Sequence, residues 1–221
     1  MKGVPVVTID GPSGAGKGTV SRILALRLGW RYLDSGALYR VVALSALQKG
    51  VLREDEANLS QLATNLPVTF VLENEEDDHR ILLQACDVTD QLRTEQIGNM
   101  ASKIAAIQSV RDALLLWQRG FAAHPGLIAD GRDMGTVVFP EANIKVFLTA
   151  SHEERAKRRY NQLNGKGVSV SLSDLSREIR ERDERDANRA IAPLRPSSDA
   201  VVLDSTNQSI HQVVDTILKL I

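Results

Sequence analysis

The sequence predicts a three-layer α/β fold in which helices cover both faces of a five-stranded parallel sheet. Short, continuous apolar runs alternate with longer segments of helical periodicity, and this alternation is typical of parallel strands joined by crossover helices. A glycine-rich segment with one lysine separates the first apolar run from the first helical segment. Two more apolar runs interrupt the alternation and predict a small antiparallel sheet appended to the main one.

Five apolar runs predict the strands of the parallel sheet. They are residues 4–9, 30–33, 127–129, 144–148 and 200–203. Because these runs are continuously apolar rather than alternating, we expect both faces of each strand to be covered. Helical periodicity occupies residues 17–28, 37–48, 94–121, 151–163, 173–190 and 208–220. The appended sheet is predicted from residues 67–72 and 80–84, which flank an acidic turn at 73–78.

The composition excludes several classes of protein. The chain has 221 residues, of which 43% are hydrophobic and 25% charged, so we expect one folded domain or two small ones. Its 27 basic and 28 acidic side chains leave a net charge of -1, which argues against a general nucleic-acid-binding protein. Cys86 is the only cysteine, so neither an internal disulfide nor a cysteine-rich metal site can form. No apolar run approaches ~18 residues and no signal peptide is recognisable, so we expect a cytoplasmic protein without a membrane span.

Residues 11–19 (GPSGAGKGT) form the most specific motif in the sequence. They connect an apolar run to a helical segment, which is the context of a Walker A phosphate loop. Glycines allow consecutive backbone N–H groups to converge on phosphate oxygens, the following helix adds the positive end of its dipole, and Lys17 adds a mobile positive charge. The general motif has Ser or Thr directly after the lysine, whereas here Gly18 holds that position and Thr19 follows as the candidate Mg²⁺ ligand. The candidate residues for the phosphates of a nucleoside triphosphate are Gly11, Pro12, Ser13, Gly14, Ala15, Gly16, Lys17, Gly18 and Thr19.

This motif occurs in GTPases, motor-type ATPases and kinases. A switch GTPase would need an Asn-Lys-x-Asp string to bind guanine, and the sequence contains none. A motor-type ATPase would need an acid at a strand end, and Asp130, directly after the third apolar run, meets that requirement. A kinase would need a second set of groups that binds the phosphoryl acceptor.

Polar side chains that suit an acceptor follow the apolar runs. In open α/β sheets ligands bind beyond the carboxyl ends of the strands, so we expect these side chains to meet beside the phosphate loop. They are Ser35, Arg40, Arg132 and Asp133. Because the guanidinium fork of arginine matches the geometry of phosphate, the candidates for the acceptor phosphate are Arg40, Arg132 and Arg182. For Asp133 the alternatives are a structural ion pair with Arg132 and a helix N-cap.

The helical segment 173–190 allows two interpretations. Arg182, Asp186 and Arg189 occur at positions i, i+4 and i+7 and share one helix face, as a substrate-binding surface would require. The alternative is a solvated helix, which opposite charges four residues apart would support. Those pairs are Glu178/Arg182, Glu181/Arg185 and Arg182/Asp186.

Three strings extend the pattern beyond the phosphate loop. Residues 34–40 (DSGALYR) follow the second apolar run, residues 130–136 (DGRDMGT) follow the third, and residues 182–189 (RDERDANR) lie in a helical segment. Together with the Gly-Lys-Gly-Thr of the loop, they resemble the bacterial cytidylate kinase family of nucleoside monophosphate kinases over nearly the whole chain. The resemblance implies a P-loop kinase-type fold and transfer of the γ-phosphoryl group of ATP, with Mg²⁺, to CMP or dCMP. We expect small-molecule substrates, no nucleic-acid partner and a monomer.

The resemblance also implies a division of the chain and further site residues. It implies a single kinase domain of residues 1–221, with a core of residues 1–36, 105–150 and 170–221, an acceptor lobe with an insert at 37–104 and a lid at 151–169. By resemblance, Asp186 and Arg189 approach the sugar hydroxyls, whereas Ser102, Arg111 and Asp133 contact the cytosine base. Without the resemblance, Ser102 and Arg111 would be assigned to an ordinary helix surface.

The implied reaction needs charge neutralisation more than acid–base chemistry. An acceptor phosphate is already ionised at pH 7, so no general base is required, and Lys17, Arg132 and Arg182 are the candidate catalytic residues. Residues 155–167 begin with four basic side chains and end in a glycine-containing stretch, which suits a lid that excludes water, with Arg158 as a candidate ATP contact. The alternative for this segment is a basic surface helix that stops at glycine. For the whole protein, the alternatives are a kinase for another small acceptor and an ATP-binding switch.

Overall fold

The computed structural model describes residues 3–64, 66–75, 79–165 and 167–221, and it places eight strands in two sheets. In chain order the strands are β1 (Val6–Asp10), β2 (Arg31–Asp34), β3 (Val68–Val71), β4 (Arg80–Leu83), β5 (Cys86–Asp87), β6 (Leu127–Gly131), β7 (Ile144–Thr149) and β8 (Val201–Asp204). The larger sheet has five parallel strands in the order β2-β6-β1-β7-β8. All five predicted strands of this sheet are confirmed, with bounds that differ by one or two residues. Because β1 is central, the loop that follows it leaves from the middle of the sheet.

The helices connect these strands as the alternation predicts. In chain order they are α1 (Lys17–Leu28), α2 (Ser35–Lys49), α3 (Glu56–Thr64), α4 (Thr89–Leu92), α5 (Glu95–Ile104), α6 (Gln108–Gly120), a π-helix (Met134–Val138), α7 (His152–Asn164), α8 (Leu172–Ala187) and α9 (Ile210–Leu218). The short helices α3 and α4 and the π-helix were not predicted. Within the described ranges, no helix combines the length and the apolar character needed to cross a bilayer.

One predicted helix is wrong: residues 94–121 form two helices, α5 and α6, rather than one. Between them the chain makes tight turns, in which the N–H of Ala106 donates to Lys103 and the N–H of Ile107 donates to Ile104. The guanidinium of Arg111 donates to the carbonyl of Ala105 at 3.1 Å, which satisfies an oxygen that a continuous helix would have used. Apolar residues continue through the break, so periodicity does not reveal it.

The appended sheet is confirmed and extended by a third strand. β3 and β4 pair antiparallel as predicted, and β5 adds to β4 after a turn at residues 84–85. The acidic turn between β3 and β4 lies partly outside the described residues, at positions 76–78. Its described part rests on α1, where the buried guanidinium of Arg22 donates to the carbonyls of Asn74 at 2.6 Å and Glu75 at 2.8 Å. The insert is therefore attached to the helix that follows the phosphate loop.

Two apolar layers flank the parallel sheet. Successive residues of β6 point to opposite sides: Leu127 and Ala129 pack into the layer with α2, α3, α5 and α6, whereas Ile128 packs into the layer with α1 and α9. All five residues of β1 and of β6 are buried. This burial on both faces is why the strands are continuously apolar in sequence, and it confirms the predicted three-layer arrangement.

Candidate active site

The phosphate loop turns sharply between β1 and α1. Gly11 has φ 148°, and a Cβ at this position would lie 1.9 Å from the carbonyl oxygen of Leu148 on the neighbouring strand β7. Gly16 has φ 92° and precedes the first residue of α1, Lys17. Both positions therefore require glycine, the first for close approach and the second for its backbone angle. The loop presents the N-terminus of α1 to the cleft, which is the geometry of an anion-binding site.

Lys17 and Asp130 lie buried beneath this loop. The Nζ of Lys17 donates to the carbonyl of Pro12 at 2.9 Å. Burial, together with repulsion from Arg132 and Arg182, lowers the pKa of Lys17 to about 7. Burial raises the pKa of Asp130 to about 7, against the attraction of Lys17. The lysine charge therefore lacks full compensation within the protein, which suits a group that receives a phosphate.

Five arginines of the described chain join Lys17 around one cavity of about 280 Å³, and they include the three predicted for the acceptor phosphate, Arg40, Arg132 and Arg182. Burial, with repulsion from Arg132 and Arg40, lowers the pKa of Arg182 to about 9, and its Nε has no hydrogen-bond partner within the described ranges. Arg40 donates to the carbonyl of Leu92, and Arg132 donates through Nε to Asp186 at 3.1 Å. Anionic oxygens that enter this cavity would meet several cationic groups, because few carboxylates line the cavity and neutralise those cations.

A second, smaller cavity of about 50 Å³ adjoins the first. Eight of the nine predicted acceptor residues line it: Ser35, Ser102, Arg111, Arg132, Asp133, Arg182, Asp186 and Arg189. Arg40, the ninth, lines the cavity at the phosphate loop instead. Arg132 and Arg182 line both cavities. The structure thus brings the residues that follow β2 and β6, the helices α5 and α6, and one face of α8 to a single cleft.

Ion pairs and hydrogen bonds connect the residues of the small cavity. Asp133 pairs with Arg111, so it is neither the partner of Arg132 nor a side-chain cap of the π-helix that follows it. Asp186 accepts from Ser102 at 3.3 Å and from Arg132 at 3.1 Å. Although burial alone would raise it, the pKa of Asp186 is held below its ordinary value by the neighbouring arginines, Arg132 foremost.

The face of α8 is therefore part of the cleft rather than a solvated surface. Arg182 and Asp186 line it from α8, whereas Arg189 lines it from beyond the helix, because α8 ends at Ala187 and not at the predicted residue 190. None of the three opposite-charge pairs expected for a solvated helix is an ion pair in the described part of the chain. Instead Arg185 donates to Asn99 at 3.4 Å and Asp183 pairs with Arg155 at 2.6 Å.

The arginines of α7 have three different surroundings. Arg155 is buried and donates both to Ser13 at 3.1 Å and to Asp183 of α8, so it ties the phosphate loop to α8. Arg158 donates to Ser205 at 2.6 Å and approaches Ala15 of the loop at 3.4 Å. Arg159 pairs with Glu95 at the start of α5.

Arg158 and Arg159 line a cavity of about 520 Å³, which also reaches Gly16, Thr19 and the start of α9. This cavity extends from the phosphate loop along α7. The predicted lid also contains position 166, which lies outside the described residues.

Asp34 and His79 also line the cavity at the phosphate loop, although the site prediction did not include them. Asp34 accepts from the N–H of Ala37 at 2.9 Å as the N-cap of α2, and its second oxygen lies 3.5 Å from Nε2 of His79. Burial opposes the change, but His79 and the cap hydrogen bond lower the pKa of Asp34. Asp34 is the first residue of the string at 34–40, so the sequence could have identified it as a site residue. His79 comes from the appended sheet, and its sequence neighbours carry no signal for a site.

Comparisons with known proteins agree with this geometry. A family model described as cytidylate kinase matches residues 7–221. A cytidylate kinase of Pseudomonas fluorescens (strain SBW25) is 61% identical over 214 residues, covering 97% of this chain and 93% of its own length. That of Methylococcus capsulatus is 56% identical over 218 residues, covering 99% and 97%.

Among solved structures, an uncharacterized protein from Eubacterium ventriosum shares the fold, with a TM-score of 0.51 at 12% identity over 97% of this chain and 96% of its own. The sequence identity to the two bacterial enzymes extends over almost the entire chain, including the loop, the acceptor cleft and the insert. On that evidence, the chain belongs to the cytidylate kinase family.

Proposed function

We propose that this protein is an ATP-dependent kinase that transfers the γ-phosphoryl group of ATP to CMP or dCMP, giving ADP and CDP or dCDP in pyrimidine nucleotide metabolism. Membership of the cytidylate kinase family supports the reaction class. The observation that carries the proposal is that Arg132 and Arg182 line both the cavity at the phosphate loop and the cavity that contains Asp133. Two phosphate groups, one from each cavity, can meet between these arginines.

The donor side consists of residues 11–19 and α7. Backbone N–H groups of the loop and the N-terminus of α1 bind the phosphates of ATP, and Lys17 reaches the β- and γ-phosphates. Arg158 contacts ATP from α7, where Ser205 and Glu154 hold its guanidinium beside Ala15. The large cavity along α7 offers space for the nucleoside.

The residues around the loop fit a magnesium ion that is bound together with ATP. Mg²⁺ in such sites takes one or two protein oxygens and completes its shell with phosphates and water. Thr19 is exposed in the first turn of α1, and a Cβ at Gly18 would lie 3.4 Å from a carboxylate oxygen of Asp130. In the described part of the chain, no three acidic, His or Cys side chains form a metal cage. Thr19 would hold the ion, which would neutralise charge on the phosphates.

The acceptor side discriminates by hydrogen bonding. Cytosine offers a donor amine beside two acceptor atoms, so a carboxylate and an arginine suit it better than they suit uracil. Asp133 accepts a hydrogen bond from the amine, while Arg111 and Ser102 form hydrogen bonds with the other polar atoms of the base edge. Asp186 and Arg189 bind the sugar hydroxyls.

Phosphoryl transfer then follows from positioning and charge. The attacking oxygen belongs to an ionised phosphate, so no side chain has to remove a proton. Arg40, Arg132 and Arg182 bind the acceptor phosphate, and Ser35 lies beside them at the start of α2. Lys17, Arg132 and Arg182 neutralise the charge that spreads over the transferred group, which is the main catalytic contribution available here.

Water must be excluded from the cleft because it competes with the acceptor. We assign this role to a lid of residues 151–169, between a core of residues 1–36, 105–150 and 170–221 and an acceptor lobe of residues 37–104. The pair Arg159–Glu95 joins the helix of this lid to the acceptor lobe across the large cavity. We also propose a monomeric cytoplasmic enzyme without a nucleic-acid partner. The exposed free thiol of Cys86 suits a reducing compartment.

An acceptor panel tests the proposed function. ADP release is measured with CMP, dCMP, UMP, AMP and GMP in turn, with Mg²⁺ and ATP present. We expect the highest kcat/KM with CMP or dCMP and a lower value with UMP. Preferred turnover of a purine nucleotide or of another small acceptor would reassign the enzyme, and nucleotide binding without acceptor-dependent turnover would indicate a switch.

A further inference from the structure

Asp10 is the last residue of β1 and lies directly before the phosphate loop, yet its side chain serves a different segment. Its two carboxylate oxygens accept hydrogen bonds from the backbone N–H groups of Met134 and Gly135, both at 2.8 Å. Asp10 is 5% exposed, so no solvent competes for these bonds. Burial raises the pKa of Asp10 to about 6 and the two amide hydrogen bonds oppose that rise, so the group is a carboxylate at neutral pH.

The two N–H groups open the π-helix that follows Asp133. The first N–H groups of a helix lack partners within it, and the preceding residue usually caps them with its own side chain. Asp133 occupies the capping position but makes no such bond. Asp10 satisfies these donors from the neighbouring strand, and the side chain of Asp133 is thereby free to face Arg111 in the acceptor cavity.

The π-helix also fits closely against β1. A Cβ at Gly135 would lie 2.8 Å from Oγ1 of Thr8, so the turn approaches the strand as closely as glycine allows. Its hydrogen bonds run five residues back, from Val138 to Asp133 and from Phe139 to Met134. Such π-turns occur frequently at functional sites. A small shift of this turn would move Asp133 and Arg132 together, because both immediately precede it.

We propose that Asp10 is a positioning residue for acceptor recognition: by capping the π-helix from β1, it fixes the orientation in which Asp133 meets the acceptor base. Asp10 itself touches no acceptor atom. The inference rests on the proposed function and deepens it, since it places a determinant of cytosine recognition outside the acceptor cavity.

The test is Asp10→Asn, which keeps the shape but replaces one accepting oxygen with an NH₂ group that cannot accept from a backbone N–H. We expect the ratio of kcat/KM for CMP to that for UMP to fall about tenfold, because one buried N–H loses its partner and the turn shifts. The KM for ATP should change by less than about twofold. Thr8→Val is the matched control: Thr8 contacts the same turn from the same strand without bonding to it, so its variant should keep the ratio.

A double-mutant cycle separates positioning from general damage. In an Asp133→Ala background, Asp10→Asn should lower the remaining ratio by less than about twofold, because both changes act on one interaction. If Asp10→Asn does not fold, Asp10→Ser, which keeps one accepting oxygen, takes its place in the same assays. An unchanged ratio in the folded variant, or a loss confined to the KM for ATP, would overturn the inference while leaving the proposed function intact. A wild-type protein that does not phosphorylate CMP would overturn both.

Discussion

Lys17 shows how single residues set the chemistry of this cleft. Its ammonium is buried, it donates to Pro12 at 2.9 Å, and the cationic neighbours Arg132 and Arg182 help burial to lower its pKa to about 7. Repulsion from these two arginines destabilises the ammonium in the free protein, and a bound phosphate would stabilise it. We therefore expect Lys17 to stabilise a phosphate-bound state more than it stabilises the free protein.

Replacing Lys17 by Ala should leave the fold intact and reduce turnover at least about 100-fold, since the transferred group loses a direct electrostatic partner. Coupled ADP-release kinetics measure the rate, and thermal unfolding checks the fold. Lys157→Ala, an exposed lysine of α7, is the control and should keep wild-type activity. Near-normal turnover by the Lys17 variant would reject its role at the phosphates.

The pKa of Lys17 also predicts a pH dependence of ATP binding. Since the free protein loses this proton near pH 7 and bound phosphates favour the ammonium form, binding should take up a proton, and affinity should fall as pH rises from 6 to 8. Calorimetric titration of MgATP in two buffers with different ionisation heats measures the uptake. Lys17→Arg stays charged throughout this range and should show a flatter pH dependence. Equal affinity at pH 6 and 8 in the wild type would contradict the prediction.

Asp133 should determine the choice of base. Asp133→Ala is expected to reduce kcat/KM for CMP at least about tenfold more than for UMP, because uracil presents no amine to the lost carboxylate. The variant should also melt at a lower temperature, since Arg111 loses its buried partner. Asp112→Ala removes an exposed carboxylate beside Arg111 and should leave the CMP-to-UMP ratio unchanged. Equal losses on both acceptors would remove Asp133 from base recognition.

At the scale of elements, helix α8 is held at its start and at Asp183, and it carries a poorly compensated cation directly beside Asp183. Ser171 caps its start by accepting from Asp174, and Asp183 anchors it to α7 through Arg155. Arg182, the residue before Asp183, is partly buried next to other cations, and its Nε has no hydrogen-bond partner among the described residues. A cation held beside other cations destabilises the free protein, and such destabilising placements are typical of ligand-binding sites.

Arg182→Ala should therefore lower the activity without lowering the thermal stability. We expect a higher KM for CMP and a kcat lowered by about tenfold or more, while the melting temperature stays level or rises as cationic repulsion is relieved. Steady-state kinetics and thermal unfolding of the same preparation measure both effects. Arg180→Ala, an exposed arginine on the same helix, should change neither. Unchanged kinetics in Arg182→Ala would return α8 to the interpretation of a solvated helix.

At the scale of the molecule, two cavities border the phosphate loop and a third adjoins them at Arg182. This third cavity, which most of the predicted acceptor residues line, is the smallest of the three, at about 50 Å³. A nucleotide does not fit into that volume with its ion pairs in place. We therefore expect acceptor binding to separate elements that now touch, such as α5 and α8, which Ser102 and Asp186 connect. Opening for the acceptor and closure over both substrates are therefore expected parts of the cycle.

Hydrogen exchange tests this closure. Residues 151–169 should gain protection when CMP and a non-hydrolysable ATP analogue are present together, and much less with either alone, because only the double complex has phosphates on both sides of Arg132 and Arg182. Helix α3, which lines none of these three cavities, serves as the internal reference. Full protection by the ATP analogue alone would assign the segment to the donor site and not to a lid that closes on both substrates.

Local patterns in the sequence determined much of this picture. The five strands, the phosphate loop and the helix α8 depend on apolar periodicity or on residues that are neighbours in the chain. The acceptor residues that follow β2 and β6 were predictable because parallel strands end at the same edge of a sheet. Ser102 and Arg111 were found by family resemblance, because nothing in their local pattern distinguishes them from a helix surface.

The tertiary structure decided the partners of these residues. It separated α5 from α6, paired Asp133 with Arg111 rather than with Arg132, brought His79 of the insert to Asp34, and capped the π-helix from Asp10. Each of these contacts joins residues that are distant in sequence and depends on how buried polar groups satisfy one another. A buried polar group without a hydrogen-bond partner costs free energy, so packing determines which groups pair. The local sequence does not show which distant group will be the partner.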